Sequence, residues 1–308
     1  MPRGGAAPRR EELCSPRPSR RGFPKQKAER DADMKLIHLS DIHLTVPGER
    51  MGGLDPHRRF AQALEHVNAH HSDADRIVIT GDLTHWGERA AYEVLQNVLT
   101  EQAVPVRLLI GNHDDRERFK SVFTDHPCDA NGYVNHAETL DDTRLIYLDS
   151  CAPKTHAGHF GADRLAWLEA ELAAADHARI FMHHGPMEVG VPAKDLITMV
   201  AQDRPGLKSL FERYSTVIDY IHFGHVHAPI HGSYCGIPFS SVPSLGNQSI
   251  PDFAEPRMLL GGPLPPAYYV VQVDGRATRI HQVPFLWDGP VFATGTAWED
   301  WAKPLAAE

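Results

Sequence analysis

The chain has 308 residues, 42% of them hydrophobic and 23% charged, which suits one sizeable core or one core with a small addition. Its formal net charge of -9 is uneven: residues 1–33 carry nine Lys/Arg against five Asp/Glu and stand at +4, so the remainder stands at -13. A body that acidic lacks the clustered cations that displace counterions, so polymeric nucleic acid is not an expected partner. No apolar run approaches the ~18 residues of a membrane span, so no membrane is expected either.

Residues 1–33 are rich in Arg, Pro and Gly and have almost no apolar periodicity. Ser19-Arg20-Arg21-Gly22-Phe23-Pro24-Lys25 looks like a twin-arginine export signal, but the apolar stretch that must follow is replaced by KQKAERDADM. This segment reads as a disordered basic extension, with Met34 a candidate start of translation. Cys14, Cys128, Cys151 and Cys235 form no CxxC pair, which points to reduced thiols in a cytoplasmic enzyme.

From Lys35 onward, short apolar runs alternate with helical patterns, as in an α/β fold. Lys35–Leu39 is the first predicted strand and leads into Ser40-Asp41-Ile42-His43. Phe60, Leu64 and Val67 then share a helical face. Arg76–Ile79 is a strand that leads through Thr80 into Gly81-Asp82, and Tyr92, Leu95 and Leu99 mark a second helix. Val106–Ile110 leads into Gly111-Asn112-His113-Asp114. Leu145–Leu148 ends at Asp149, which reads as a structural carboxylate bonding loop amides. Leu165, Leu168 and Leu172 form a helical stripe behind Asp163 as N-cap. Arg179–Met182 leads into His183-His184-Gly185-Pro186. A stripe of Leu207, Leu210, Phe211 and Tyr214 precedes the strand Val217–Phe223, which leads into Gly224-His225-Val226-His227. His38 and His222, inside strands, read as core histidines.

The last third differs. Ser240–Pro266 is rich in Pro and Gly and reads as a lid, an oligomer arm or a long loop. Ala267–Val273 and Arg276–Val283 around Asp274-Gly275 carry a hairpin signature. The expected division is a basic extension at 1–33, a catalytic domain at 34–245, and a C-terminal extension at 246–308. That extension holds loop, hairpin and a tail with Trp287, Trp298 and Trp301, and packs on the core or forms a homo-oligomer contact.

Five strand ends thus carry Asp, Asn and His, and sites in open α/β sheets form at the carboxyl ends of strands. Imidazole nitrogen with carboxylate or amide oxygen suits Mn, Fe or Zn. Asp-x-His and His-x-His place two side chains on one face if the segment is extended. Gly81, Gly111 and Gly224 suit close turns around such a centre. Each piece alone is weak; all five in order, each following a β-run, make a strong signal.

Asp41-x-His43, Gly81-Asp82, Gly111-Asn112-His113-Asp114, His183-His184-x-Pro186 and Gly224-His225-x-His227 together resemble the signature of calcineurin-like metallophosphoesterases. The resemblance covers about residues 35–245. FMHHGP at 181–186, LIYLDS at 145–150 and the GNHDD stretch look most like class III cyclic-nucleotide phosphodiesterases and bacterial glycerophosphodiesterases. The resemblance implies a four-layer β-sandwich of mixed sheets flanked by helices. It implies two divalent cations bridged by Asp82, the first held by Asp41, His43, Asp82 and His227, the second by Asp82, Asn112, His183 and His225. It puts His113 at the substrate as proton donor, with Asp114 or Asp115 either orienting it or charging a helix N-terminus. His184 and His85 are expected at the substrate too. The implied activity is hydrolysis of small phosphodiesters, cyclic nucleotides or glycerophosphodiesters, by a metal-bound hydroxide. Nuclease, phosphomonoesterase and non-catalytic metal-binding module are the alternatives. With Asp41, Asp82 and a hydroxide against two divalent cations, and no conspicuous Lys or Arg beside the motifs, the centre carries about one positive charge. That leans toward monoanionic diesters.

Overall fold

Strands that are apolar on both faces must be covered on both, and this requirement organises the chain. The computed structural model of the protein describes residues 34–287 and 289. Its elements in order are β1 (Met34–Leu39), α1 (Pro56–His70), β2 (Arg76–Thr80), α2 (Arg89–Thr100), β3 (Val106–Leu109), α3 (Arg116–Val122), β4 (His136–Leu140) and β5 (Thr143–Leu148). There follow α4 (Ala162–Ala173), β6 (His177–Met182), α5 (Pro192–Asp195), α6 (Arg204–Arg213), β7 (Ile218–Phe223), β8 (Ile230–Tyr234) and β9 (Ile237–Ser241). The last are β10 (Gln248–Ile250), β11 (Leu260–Gly262), β12 (Tyr268–Asp274) and β13 (Ala277–Val283).

One mixed sheet has the order β13-β12-β1-β2-β3, a second β4-β5-β6-β7-β9-β8, and β10 pairs with β11 in a small ladder. Side chains alternate across each strand, and the three apolar clusters follow from that. Met34 and Leu36 of β1 meet Leu145, Tyr147 and Phe181 of the other sheet, whereas Ile37 and Leu39 meet Phe60, Leu64 and Leu95 of the helices. On the far side, Ile146, Ile180 and Ile221 pack on Leu168, Leu172 and Phe211. The layers are therefore helices, sheet, sheet, helices. The helices announce themselves locally: Asp55 caps α1 by accepting from the Arg58 amide, and Pro56 sits in the first turn.

His38 and His222 lie between the sheets, fully buried, with the His222 ring stacked on Phe181 at 4.6 Å. Burial lowers the His38 pKa to about 3 and that of His222 well below the usual value, so both are neutral core residues. Glu138 of β4 ties the sheets together, accepting from Arg76 Nη2 at 2.9 Å and Arg107 Nη2 at 2.7 Å.

The structure departs from the sequence reading in several places. α4 begins at Ala162 with Gly161 as N-cap, and Asp163 lies in its first turn instead. In the C-terminal hairpin Asp274 still pairs with Ala277, so the turn is Gly275-Arg276. That hairpin is continuous with the sheet of the first half: β12 runs antiparallel to β1, with Met34 opposite Val273 and His38 opposite Tyr269. Ser240–Pro266 contains β10 and β11. The extension 1–33 and Trp298 and Trp301 lie outside the described residues.

Candidate metal centre

Parallel strands end on the same edge, so the segments after β1, β2 and β3 of one sheet and after β6 and β7 of the other open onto one place. Main-chain bonds lock them together: Asp41 N–H to the Gly81 carbonyl at 3.0 Å, His43 N–H to Asp82 at 2.9 Å, and Gly224 N–H to His183 at 3.1 Å. The segments are not extended. Asp41, His43, Asp82, His225 and His227 all have left-handed backbones, with φ of 53°, 47°, 47°, 65° and 53°. The convergence at i, i+2 thus comes from alternate left-handed residues, a correction to the strand-like alternation expected. Each such residue costs of order 1 kcal/mol or more, and strain of this kind concentrates at functional sites. Gly111 shows how close the segments come, because a Cβ there would collide with the Asp82 side chain and main chain.

Asp82 is at the middle. Its Oδ2 lies 3.7 Å from His43 Nε2 and its Oδ1 3.4 Å from His183 Nε2. Asp41 Oδ1 is 3.1 Å from His227 Nε2, and the Nε2 atoms of His43 and His227 are 3.2 Å apart. Asn112 Oδ1 is 3.1 Å from His183 Nε2. The His225 ring lies 5.1 Å from that of His183. His183 Nδ1–H donates to the Thr80 carbonyl at 2.7 Å, and His227 Nδ1–H to that of Asn247 at 2.8 Å. In the neutral rings each Nε2 lone pair therefore points inward. Lone pair then faces lone pair, an arrangement that a cation between them would satisfy, or failing that a proton on His183.

The electrostatics agree. Burial works against the Asp82 and Asp41 carboxylates, but the surrounding imidazoles outweigh it, holding Asp82 well below its usual value and Asp41 at about 2. Burial also opposes a charged His183, yet Asp82 overcomes it and lifts that pKa to about 9. Burial lowers His43 to about 3. Among the candidate ligands, Asp41 Oδ1 and His225 Nε2 are buried without a hydrogen bond, the former near His227 but outside hydrogen-bonding geometry. Orphaned acceptors, ionised carboxylates and inward lone pairs, with nitrogen and oxygen donors and no thiolate, fit divalent Mn, Fe or Zn.

A cavity of about 330 Å3 opens here, lined among others by His43, Asp82, His85, Asn112, His113, His225 and His227. His113 Nδ1–H donates to the His85 carbonyl at 2.8 Å and the two rings stack at 5.2 Å. Neither neighbouring carboxylate orients it. Asp114 accepts from the amides of Leu83, Thr84 and Gly111 and from the Tyr92 hydroxyl, and Asp115 caps α3. His184, expected at the substrate, is fully buried and does not line the cavity. It bonds Ser150 Oγ at 2.8 Å and packs on His225, supporting the centre from behind. Asp149 bonds the amides of Val134 and Cys151 and pairs with Arg116 at 2.6 Å. Three residues escaped the sequence reading. His156 Nδ1 accepts from Asn112 Nδ2 at 2.8 Å and so aims the amide oxygen at His183. Asn247 acts through its carbonyl. Lys194 lines the cavity, so the lean toward diesters drawn from an absence of nearby cations no longer holds.

Residues 34–229 match the calcineurin-like phosphoesterase family. The chain belongs to that family and is a hydrolase. It is 36% identical over 265 residues to a probable cyclic nucleotide phosphodiesterase of Rhodopseudomonas palustris, a match spanning 84% of this chain and 96% of that one. It is 29% identical over 221 residues to the glycerophosphodiester phosphodiesterase GpdQ of Enterobacter lignolyticus, spanning 70% and 78%. Purple acid phosphatase PPD1 from yellow lupin seeds shares the fold, with a TM-score of 0.55 at 15% identity over 84% of this chain; the chain spans 52% of that protein. Among the described residues no helix is long and apolar enough to cross a membrane.

Proposed function

We propose that the protein is a two-cation phosphodiester hydrolase acting on small diesters, cyclic nucleotides or glycerophosphodiesters. One observation carries this reading: the two oxygens of Asp82 face different groups, Oδ2 toward His43 at 3.7 Å and Oδ1 toward His183 at 3.4 Å. Asp41, His43, Asp82 and His227 would hold one cation, and Asp82, Asn112, His183 and His225 the other. Bound there, two divalent cations supply charge that offsets the phosphate oxygens and make a water a stronger acid. The chain's own residues do the rest. His85 fixes His113 by its carbonyl, so that Nε2 is the ring nitrogen left to protonate a leaving alkoxide. His156 keeps Asn112 aimed inward, and His184 buttresses His225.

A cavity of about 330 Å3 suits a small molecule better than a polymer. The names of the relatives support diesters. We place the protein in the cytoplasm on the free thiols of Cys128, Cys151 and Cys235, and the exposed Leu264 supports a homo-oligomer contact through the C-terminal extension. The test is kcat/KM with Mn(II) on 3′,5′-cyclic AMP, glycerophosphocholine and p-nitrophenyl phosphate. Diesters are expected to be hydrolysed best; a marked preference for the monoester sinks the substrate assignment.

A further inference from the structure

Lys194, in the short helix α5, is 8% exposed, and its ammonium makes no hydrogen bond or ion pair among the described residues. It lines the cavity of the metal centre and also a second cavity of about 320 Å3, walled mainly by Val189, Val191, Val226, Ile230 and Phe253. The two cavities share Ser249 and the segment Leu259–Leu260 as well, so they adjoin. One is built largely from ligand-type side chains; the other is mainly apolar. The lysine stands where they meet.

The stem of Lys194 is buried while its ammonium, without a partner among the described residues, opens on the cavities, where an anionic ligand can supply one. Burial pulls the Lys194 pKa below its usual value, and Asp41 and Asp82 pull it back. In the reading proposed above those two carboxylates are taken up by cations, which leaves the ammonium without a counter-charge in the protein. The neighbouring apolar cavity is too large to be left to a methyl group and offers little to a polyol.

We infer that Lys194 binds an anionic phosphoryl oxygen of the diester while one arm of that diester enters the apolar cavity, so that aryl or nucleobase-bearing arms are preferred to glycerol arms. This rests on the diester-hydrolase reading and adds a specificity residue and a substrate class to it. Lys194 has no part in bond breaking, so its loss should appear in binding and KM more than in kcat.

The test uses the full chain loaded with Mn(II) and two esters with one leaving group, p-nitrophenyl phenyl phosphate and p-nitrophenyl 2,3-dihydroxypropyl phosphate. Diphenyl phosphate binding is followed by calorimetry, and bound metal by elemental analysis. The wild type is expected to favour the phenyl ester about tenfold or more in kcat/KM. Lys194→Met should raise KM and the Kd of diphenyl phosphate roughly 10- to 100-fold with metal content kept, and Lys194→Arg should recover most of the loss. Ile230→Asn should lower kcat/KM for the phenyl ester more than for the dihydroxypropyl ester, and so reduce the preference. Unchanged KM and Kd in Lys194→Met with metal intact overturn the inference, as does a wild type indifferent to the arm. If no diester is turned over yet diphenyl phosphate binding still depends on Lys194, the hydrolase reading fails and the binding assignment stands.

Discussion

His113 is gripped at Nδ1 by the His85 carbonyl at 2.8 Å, and its main-chain N–H donates to Asp82 Oδ1 at 2.9 Å. The ring meets the ligand candidate His43 only edge-on, at 4.8 Å between centroids, and makes no hydrogen bond to it. His113→Ala is expected to keep both metals and lose roughly 10²–10⁴-fold in rate on an alkyl diester, the scale of general acid catalysis. The loss on bis(p-nitrophenyl) phosphate, whose leaving group needs little protonation, should be much smaller; equal losses on both would make His113 a phosphate-positioning residue. Asn112 touches one ligand group, through His183. Asn112→Ala should therefore weaken one cation more than the other, and excess Mn(II) should partly restore the rate. Residues of this kind were legible because each follows an apolar β-run. Lys194, His156 and Asn247 were not, since their places come from tertiary approach. Asn247 contributes a backbone carbonyl, which no side-chain pattern encodes.

At the scale of elements, the strands β1, β2, β3, β5, β6 and β7 were visible as apolar runs, and the helices as stripes such as Phe60, Leu64 and Val67 in α1. β4, HAETL, was not, because it is an edge strand with a mixed face. The β8–β9 hairpin was hidden by its turn: Cys235 and Gly236 have φ of 54° and 80°, a conformation that Asn-Gly would have advertised and Cys-Gly does not. The Glu138 clasp between the sheets leads to a pH prediction. Burial works against its carboxylate, but Arg76 and Arg107 outweigh this and lower the pKa from 4.5 to about 2. The folded chain then holds an ionised group that the unfolded chain would protonate between those values. Its stabilisation is complete above the higher value and is lost as the pH falls toward the lower. Glu138→Gln should cost roughly 1–3 kcal/mol at neutral pH and much less near pH 2. Urea unfolding at both pH values measures this, and a cost that does not shrink on acidification would remove the ion pair from the account.

For the molecule as a whole, the -13 body predicts no salt-dependent binding to duplex DNA, which a fluorescence titration at low ionic strength would check. In the proposed reading a single carboxylate joins two cation sites built from the ends of two sheets. Asp82 is 1% exposed and lies between His43 and His183, so its loss removes charge and a ligand from both groups at once. The most direct measurement is elemental analysis of the Asp82→Asn chain after Mn(II) loading and desalting, beside the wild type. The wild type should retain about two metals per chain. Asp82→Asn should retain markedly fewer, with turnover of bis(p-nitrophenyl) phosphate nearly abolished. Two metals held as tightly in Asp82→Asn as in the wild type would contradict the bridging assignment.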